Sequence, residues 1–160
     1  RVPRARIHLV REVAIEDGER WIRATPCDGL RIRYAIDFAH PVIGRQQIEI
    51  DRLDADAFER ELAFARTFGF LDEVEALRRA GLGLGGDLGN TVVLDGDRVL
   101  NPDGLRRPDE FVRHKALDLV GDLALLGAAL DARIDVHRGG HALHQRLVAE
   151  LLAGAGEASA

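Results

Sequence analysis

An α+β two-layer sandwich, a mainly antiparallel sheet packed on helices, is the fold class the sequence predicts. Short strand-like runs separated by turn residues fill the first 50 positions, and helices with apolar residues at spacings of three and four then mix with isolated strands. A doubly wound sheet would instead alternate strand and helix throughout. With 160 residues, the chain can bury about 70% of its unfolded surface without covalent staples.

The first strands fall at Ile7-His8-Leu9-Val10 and Val13-Ala14-Ile15, and an Asp17-Gly18 turn leads to Trp21-Ile22-Arg23. Leu30 to Ile36 alternates strictly, as a half-buried strand does, and Gln47-Ile48-Glu49-Ile50 is its expected partner. Asp54 caps a helix expected to run through Arg66, with Phe58, Leu62 and Ala65 on its apolar face and Thr67-Phe68-Gly69 closing it. A second helix runs from Leu71 to Ala80 and stops at Gly81. Gly81, Gly83 and Gly86 satisfy the spacing G-x-G-x-x-G, but they follow a helix and precede the strand Thr91-Val92-Val93-Leu94, the reverse of a nucleotide-cradling context. Turns at Asp95-Gly96-Asp97 and Asn101-Pro102-Asp103-Gly104 lead to Pro108, expected at the first position of a long helix. Ala132 to His137 then reads as a strand, Arg138-Gly139-Gly140 as a loop, and His141 to Leu152 as the last helix.

Composition narrows the chemistry. A net charge of -5 argues against a nucleic-acid partner. Cys27 is the only cysteine, which excludes an internal disulfide framework and a multi-cysteine zinc site. No signal-peptide pattern opens the chain and no apolar run reaches the roughly 18 residues of a transmembrane segment, so the expected location is cytoplasmic. The only serine, Ser159, lies in the small, polar tail from Gly154 to Ala160, which argues against a serine hydrolase.

The long helix carries His114, Asp118 and Asp122 at intervals of four. Such residues drift only about 40° per step around a helix, so one imidazole and two carboxylates share a face. That face can grip a metal ion, and it can equally form surface ion pairs. Lys115, the only lysine, sits beside His114. His141 lies at a glycine-rich junction into a helix, where a ring can enter a cleft or face solvent. The Thr67 hydroxyl can cap backbone groups or donate to a substrate oxygen.

Several of these stretches, in order, resemble one family. They are Ile36-Asp37-Phe38 with His40-Pro41-Val42-Ile43-Gly44, Ala65-Arg66-Thr67-Phe68-Gly69-Phe70, Asn101-Pro102-Asp103-Gly104-Leu105-Arg106, Asp109 to Lys115 with Asp118 and Gly121-Asp122, and Gly140-His141-Ala142-Leu143. Together they resemble the second domain of UDP-3-O-acyl-N-acetylglucosamine deacetylase, a zinc amidase of bacterial lipid A synthesis. The likeness covers the chain to about Leu152, which implies one domain over 1–152 and a flexible tail over 153–160.

The resemblance implies residue roles. His114 and Asp118 match zinc ligands, His141 the general acid that protonates the departing amine, and Asp122 the carboxylate that orients it. Thr67 matches an oxyanion-supporting hydroxyl and Lys115 a substrate-contacting lysine. Phe68 matches a residue touching the sugar and Phe38 one that stacks on uracil. Arg20 and Arg138 fall where basic residues stand near the diphosphate. The stretch 71–100 matches an inserted βαβ-like element forming an acyl passage, with Gly83, Thr91 and Val93 on its lining.

Departures stand beside these matches. Asp87 replaces a small polar residue, Gly89 a frequent aspartate and His144 an asparagine, while Arg138 and Gly139 vary the loop before His141 in a way expected to affect phosphate contacts more than acid catalysis. The family's first domain supplies a third zinc ligand, a histidine, and an adjacent glutamate base. No Glu-His or His-Glu pair occurs in these 160 residues. The resemblance therefore implies zinc with its third protein ligand outside this chain, UDP-3-O-acyl-N-acetylglucosamine as substrate, and a first domain in cis or in trans as partner. By itself the chain is expected to be inactive and to expose an apolar face. The alternative is a noncatalytic module that keeps the fold and binds a UDP-sugar lipid or a partner protein.

Overall fold

The computed structural model describes residues 5–81 and 85–157. It begins with five strands, β1 (Arg6–His8), β2 (Val13–Asp17), β3 (Arg20–Pro26), β4 (Leu30–Asp37) and β5 (Arg45–Ile50). The alternation read from β4 is realised: Ile32, Tyr34 and Ile36 are buried while Arg31 and Arg33 face outward. β2 and β3 form the expected hairpin, with Gly18 supplying the left-handed φ of +61° at its turn. A late strand, β9 (Ala129–His137), enters the middle of the sheet in the order β2-β3-β9-β4-β5. It runs antiparallel to β3 and parallel to β4, while β1 pairs in parallel with its first residues.

Two helices, α3 (Glu110–Leu123) and α4 (His141–Glu157), pack on one another and on this sheet. Between the layers lie Ile22, Ile32, Ile134, Phe111, Leu119 and Leu147, each essentially inaccessible to water. Truncating one of the leucines to alanine would cost about 2 to 5 kcal/mol. Both helices thus stand on a rigid base, and their facing sides carry the histidines and carboxylates singled out above.

Between β5 and α3 the chain builds a second unit. α1 (Ala55–Glu61) is capped by Asp54, whose side chain accepts from Ala57 N at 2.8 Å. It stops at Glu61 instead of reaching Arg66, because the backbone N–H and guanidinium of Arg66 both turn to Glu110. The residues expected to close that helix form a strand, β6 (Thr67–Phe70), which is followed by α2 (Leu71–Arg79), β7 (Thr91–Asp95) and β8 (Arg98–Val99). β6 pairs in parallel with β7 and α2 packs on both, so the element is a βαβ unit with β8 added antiparallel. The mixed α+β fold class is therefore the one observed.

Other boundaries also move. α3 begins at Glu110 with Asp109 at its N-cap, two residues later than Pro108 implied, because Arg106 and Arg107 form a turn held by the Glu110 side chain and backbone. Of the tail expected at 153–160, residues 153–157 continue α4, and 158–160 lie outside the described residues. Large apolar side chains left exposed among the described residues are Val10, Leu88, Leu125 and Leu152, from four separate segments. Among those residues no helix is long and apolar enough to cross a membrane.

Candidate functional site

The site grows from the side of α3 that faces α4. His114 Nε2 lies 3.3 Å from Asp118 Oδ1, as the one-turn spacing requires. The other ring nitrogen, Nδ1, donates to the Ala65 carbonyl at 3.3 Å. A carbonyl only accepts, so the proton sits on Nδ1 and the lone pair of Nε2 faces a carboxylate oxygen. Two acceptors at that distance repel unless a cation or a further proton lies between them. Lys115 Nζ, 2.9 Å from Asp118 Oδ2, neutralises the opposite oxygen and leaves Oδ1 directed at the ring. An imidazole fixed by a backbone carbonyl beside an oriented carboxylate is a donor set that fits a divalent metal ion.

One turn further along α3, Asp122 reaches the start of α4. Its Oδ2 accepts from His141 Nδ1 at 2.7 Å and from His144 Nδ1 at 2.8 Å. His141 turns its other nitrogen, Nε2, toward Asp118 Oδ2 at 3.9 Å, and its side chain is 59% exposed. His144, by contrast, is wholly buried, and its Nε2 meets the Tyr34 hydroxyl at 3.0 Å. Burial pushes the His144 imidazole below its usual range against the opposing pull of Asp122. Burial, reinforced by the charges of Asp118 and Asp122, drives the Tyr34 hydroxyl far up, so it keeps its proton. The neutral His144 ring therefore donates from Nδ1 and accepts at Nε2.

Donor atoms of Asp122, His141 and His144 all lie within 4.8 Å of one another, close enough to hold a metal ion. Two of these groups are already engaged, however: Asp122 Oδ2 is occupied twice, and His144 has a partner on each nitrogen. His114 and Asp118 present the less satisfied pair.

The remaining predicted residues fall around this centre. Thr67 opens β6, two residues after the carbonyl that holds His114. Phe68 packs edge-on against Phe38, Phe111 and the His114 ring, with centroids 5.7, 5.1 and 6.3 Å away. Phe38 is thus half-buried against Phe68. Thr67, Phe68, Thr91, Val93, Val74 and Leu88 line a largely apolar cavity of about 540 Å³. Gly83 lies outside the described residues. Asn101 fixes the cavity wall by accepting from Val93 N at 2.9 Å and donating to the Leu88 and Thr91 carbonyls at 2.7 Å each. Asp87 and Gly89 prove to be a coupled pair: Asp87 Oδ1 accepts from Gly89 N at 2.7 Å, and a Cβ at 89 would come within 3.0 Å of that oxygen.

Arg138 and Arg20 occupy separate depressions. Arg138 lines a polar groove with Trp21, Asp37, Arg45 and His137, and donates to Glu19 at 2.6 Å. Its φ of +51° is rare for a side chain with a Cβ and turns the loop toward His141. Arg20, paired with Asp17, borders a small cleft that also contains His141.

Sequence reasoning missed Tyr34, His144 and Glu110 as members of this assembly. The signals were faint: a second histidine three residues after His141 on one helix face, and the chain's sole tyrosine on the inward phase of β4. Glu110 is fully buried, with Oε1 accepting from Arg66 N and Nε and Oε2 from Arg66 Nη2 and Arg106 N. It ties the segment before Thr67 to the start of the helix bearing His114.

Comparison with known proteins finds relatives that share one name. A protein of Oleidesulfovibrio alaskensis named UDP-3-O-acyl-N-acetylglucosamine deacetylase is 54% identical over 142 residues, which is 89% of this chain and 46% of that protein. Proteins of the same name from Acidithiobacillus ferrooxidans and Phenylobacterium zucineum are 48% and 49% identical, each across 94% of this chain and about half of their own length. The chain thus spans about half the length of the curated relatives it matches. Residues 1–153 match the protein-family model described as LpxC, UDP-3-O-acyl N-acetylglycosamine deacetylase, and with nearly its whole length so matched the chain belongs to that deacetylase family.

Proposed function

We propose that this chain is the second half of a zinc-dependent deacetylase that removes the N-acetyl group from UDP-3-O-acyl-N-acetylglucosamine in lipid A biosynthesis. The observation that carries the reading is the convergence of His114 and Asp118 with the Asp122–His141 pair at one helix junction. A noncatalytic binding module has no use for an exposed imidazole bonded through one nitrogen to a buried carboxylate and turned, through the other, toward a ligand pair.

His114 Nε2 and Asp118 would hold the zinc ion, with the third protein ligand and the general base supplied by a first domain in cis or in trans. Bound there, zinc would supply Lewis acidity to the scissile amide and acidify a water molecule. His141, its Nδ1 committed to Asp122, carries its transferable proton on Nε2 and delivers it to the amine that departs. Asp122 orients that ring by accepting from its Nδ1. The Thr67 hydroxyl donates to the oxygen on which negative charge develops. Lys115 keeps Asp118 in place and adds positive charge where the substrate's amide lies.

For the rest of the substrate, Phe68 is assigned to the sugar, Phe38 to the uracil ring, and Arg138 and Arg20 to the diphosphate. The cavity lined by Thr91 and Val93, within an insert spanning 71–100, takes the acyl chain. Gly83 is assigned to the same passage. The main domain is 1–152, and the setting is cytoplasmic.

Mixing the chain with the first domain of a relative, made separately, should restore zinc-dependent release of acetate from the UDP-sugar. If both halves are folded, bind one another and still release no acetate, the reading fails.

A further inference from the structure

We propose that Tyr34 and His144 form a buried arm that fixes Asp122 Oδ2 and, through it, the ring of His141, making His144 a positioning residue for proton delivery. The inference rests on the deacetylase reading for its catalytic consequence and on the hydrogen bonds alone for its structural one.

Among the described residues, only one side-chain hydrogen bond, to Asp122 Oδ2, holds the exposed ring of His141. The position of that oxygen therefore sets where His141 Nε2 points. The same oxygen is held from the other side by His144 Nδ1, on a ring with no exposure to water. A neutral imidazole has a single N–H, so His144 can serve Asp122 only if its other nitrogen accepts. Tyr34 supplies the matching donor, from a β-strand at the base of the core. The arm thus runs from the sheet, through His144, to the exposed end of the site, and each member dictates the tautomer of the next.

Gly139 adds an independent observation. A Cβ at this position would meet Val136 Cγ1 at 2.3 Å, the Tyr34 hydroxyl at 2.8 Å and His144 Nε2 at 3.2 Å. The backbone of the loop entering α4 is therefore closed directly over the Tyr34–His144 contact. Only glycine fits there, and the loop that delivers His141 is seated on the arm. The sequence departures at 139 and 144 act as one unit, and that unit serves the acid and not the phosphate contacts expected of the loop.

The arm is read directly from histidine side-chain ¹H–¹⁵N spectra of the chain. His144 should be a neutral Nδ1–H tautomer, and Tyr34→Phe should shift its Nε2 resonance while moving the His141 signals less. In the enzyme completed with a first domain, His144→Leu should lower kcat about 10-fold with KM within about 2-fold, the scale of one lost hydrogen bond to a charged group. His144→Asn, whose amide N–H can stand in for Nδ1, should recover kcat to within about 3-fold of the parent. A folded His144→Leu with unchanged kcat, or with His141 resonances unmoved, overturns the proposal. So does an Nε2–H tautomer at His144, or a zinc-induced shift of both its ring nitrogens. If His144→Leu does not fold, unshifted His144 nitrogens in Tyr34→Phe overturn it equally. An inactive completed parent enzyme would count against the deacetylase reading, while the spectra would still decide the arm.

Discussion

Replacing Glu110 with glutamine leaves the Arg66 guanidinium buried without its counter-charge. In the native structure Glu110 is wholly inaccessible and Arg66 is 7% exposed, and the carboxylate accepts four hydrogen bonds from Arg66 and Arg106. Breaking one side of such a buried pair costs about 3 to 5 kcal/mol, because the remaining ion has lost both water and partner. For a domain of this size each kcal/mol lowers Tm by roughly 2 to 4 °C, which places the Glu110→Gln transition roughly 6 to 20 °C below the parent. Urea unfolding followed by circular dichroism gives the free energy, and the double variant Arg66→Met/Glu110→Leu separates charge from shape. It should regain part of the loss, since apolar groups of similar volume remove both desolvation penalties but leave the backbone N–H groups of Arg66 and Arg106 without their acceptor. Burial opposes ionisation of Glu110, but hydrogen bonds from Arg66 and Arg106 hold its pKa below the ordinary 4.5. That contribution is complete above the unfolded value and is lost as pH falls through the folded one, so the parent should weaken in acid below about pH 4.5 and Glu110→Gln should weaken less steeply. A loss under about 1 kcal/mol, or a double variant worse than the single, refutes the reasoning.

The other predictions concern the completed enzyme. His141→Ala should reduce kcat by about 10²-fold or more, the usual scale of general acid catalysis, with substrate affinity retained; an unaltered rate removes the acid from that position. His114→Ala should abolish stoichiometric zinc in metal analysis of the dialysed protein, whereas tight retention would relocate the metal. Each variant should keep the far-ultraviolet spectrum of the parent, since neither side chain lies in the sheet–helix core.

Local pattern carried the sheet and the spacing of the site, and distant partners carried the rest. Alternation marked β4 because its outward arginines and inward Ile32, Tyr34 and Ile36 follow the two-residue pleat. Spacing placed His114 and Asp118 together because one helical turn brings them to 3.3 Å. The end of α1 was not legible, since Arg66 leaves the helix for Glu110, 44 residues away in sequence. Nor was the parallel pairing of β4 with β9, which joins segments separated by about 100 positions. Tyr34 and His144 are 110 residues apart, and by local rules alone one is a core aromatic and the other a helix residue.

On the deacetylase reading, contacts within this chain would order half an active site before its complement arrives. The His114 ring is held by Ala65, Asp118 by Lys115, and His141 by Asp122, all from this chain. Each bond fixes the one atom that the proposed chemistry leaves open: Nε2 of His114, Oδ1 of Asp118 and Nε2 of His141. On that reading, a first domain would need to add only one further donor and a base, with little reorganisation of the groups it meets. The Nδ1 bonds of the two rings, one to a backbone carbonyl and one to a buried carboxylate, set their orientation without any group from a partner.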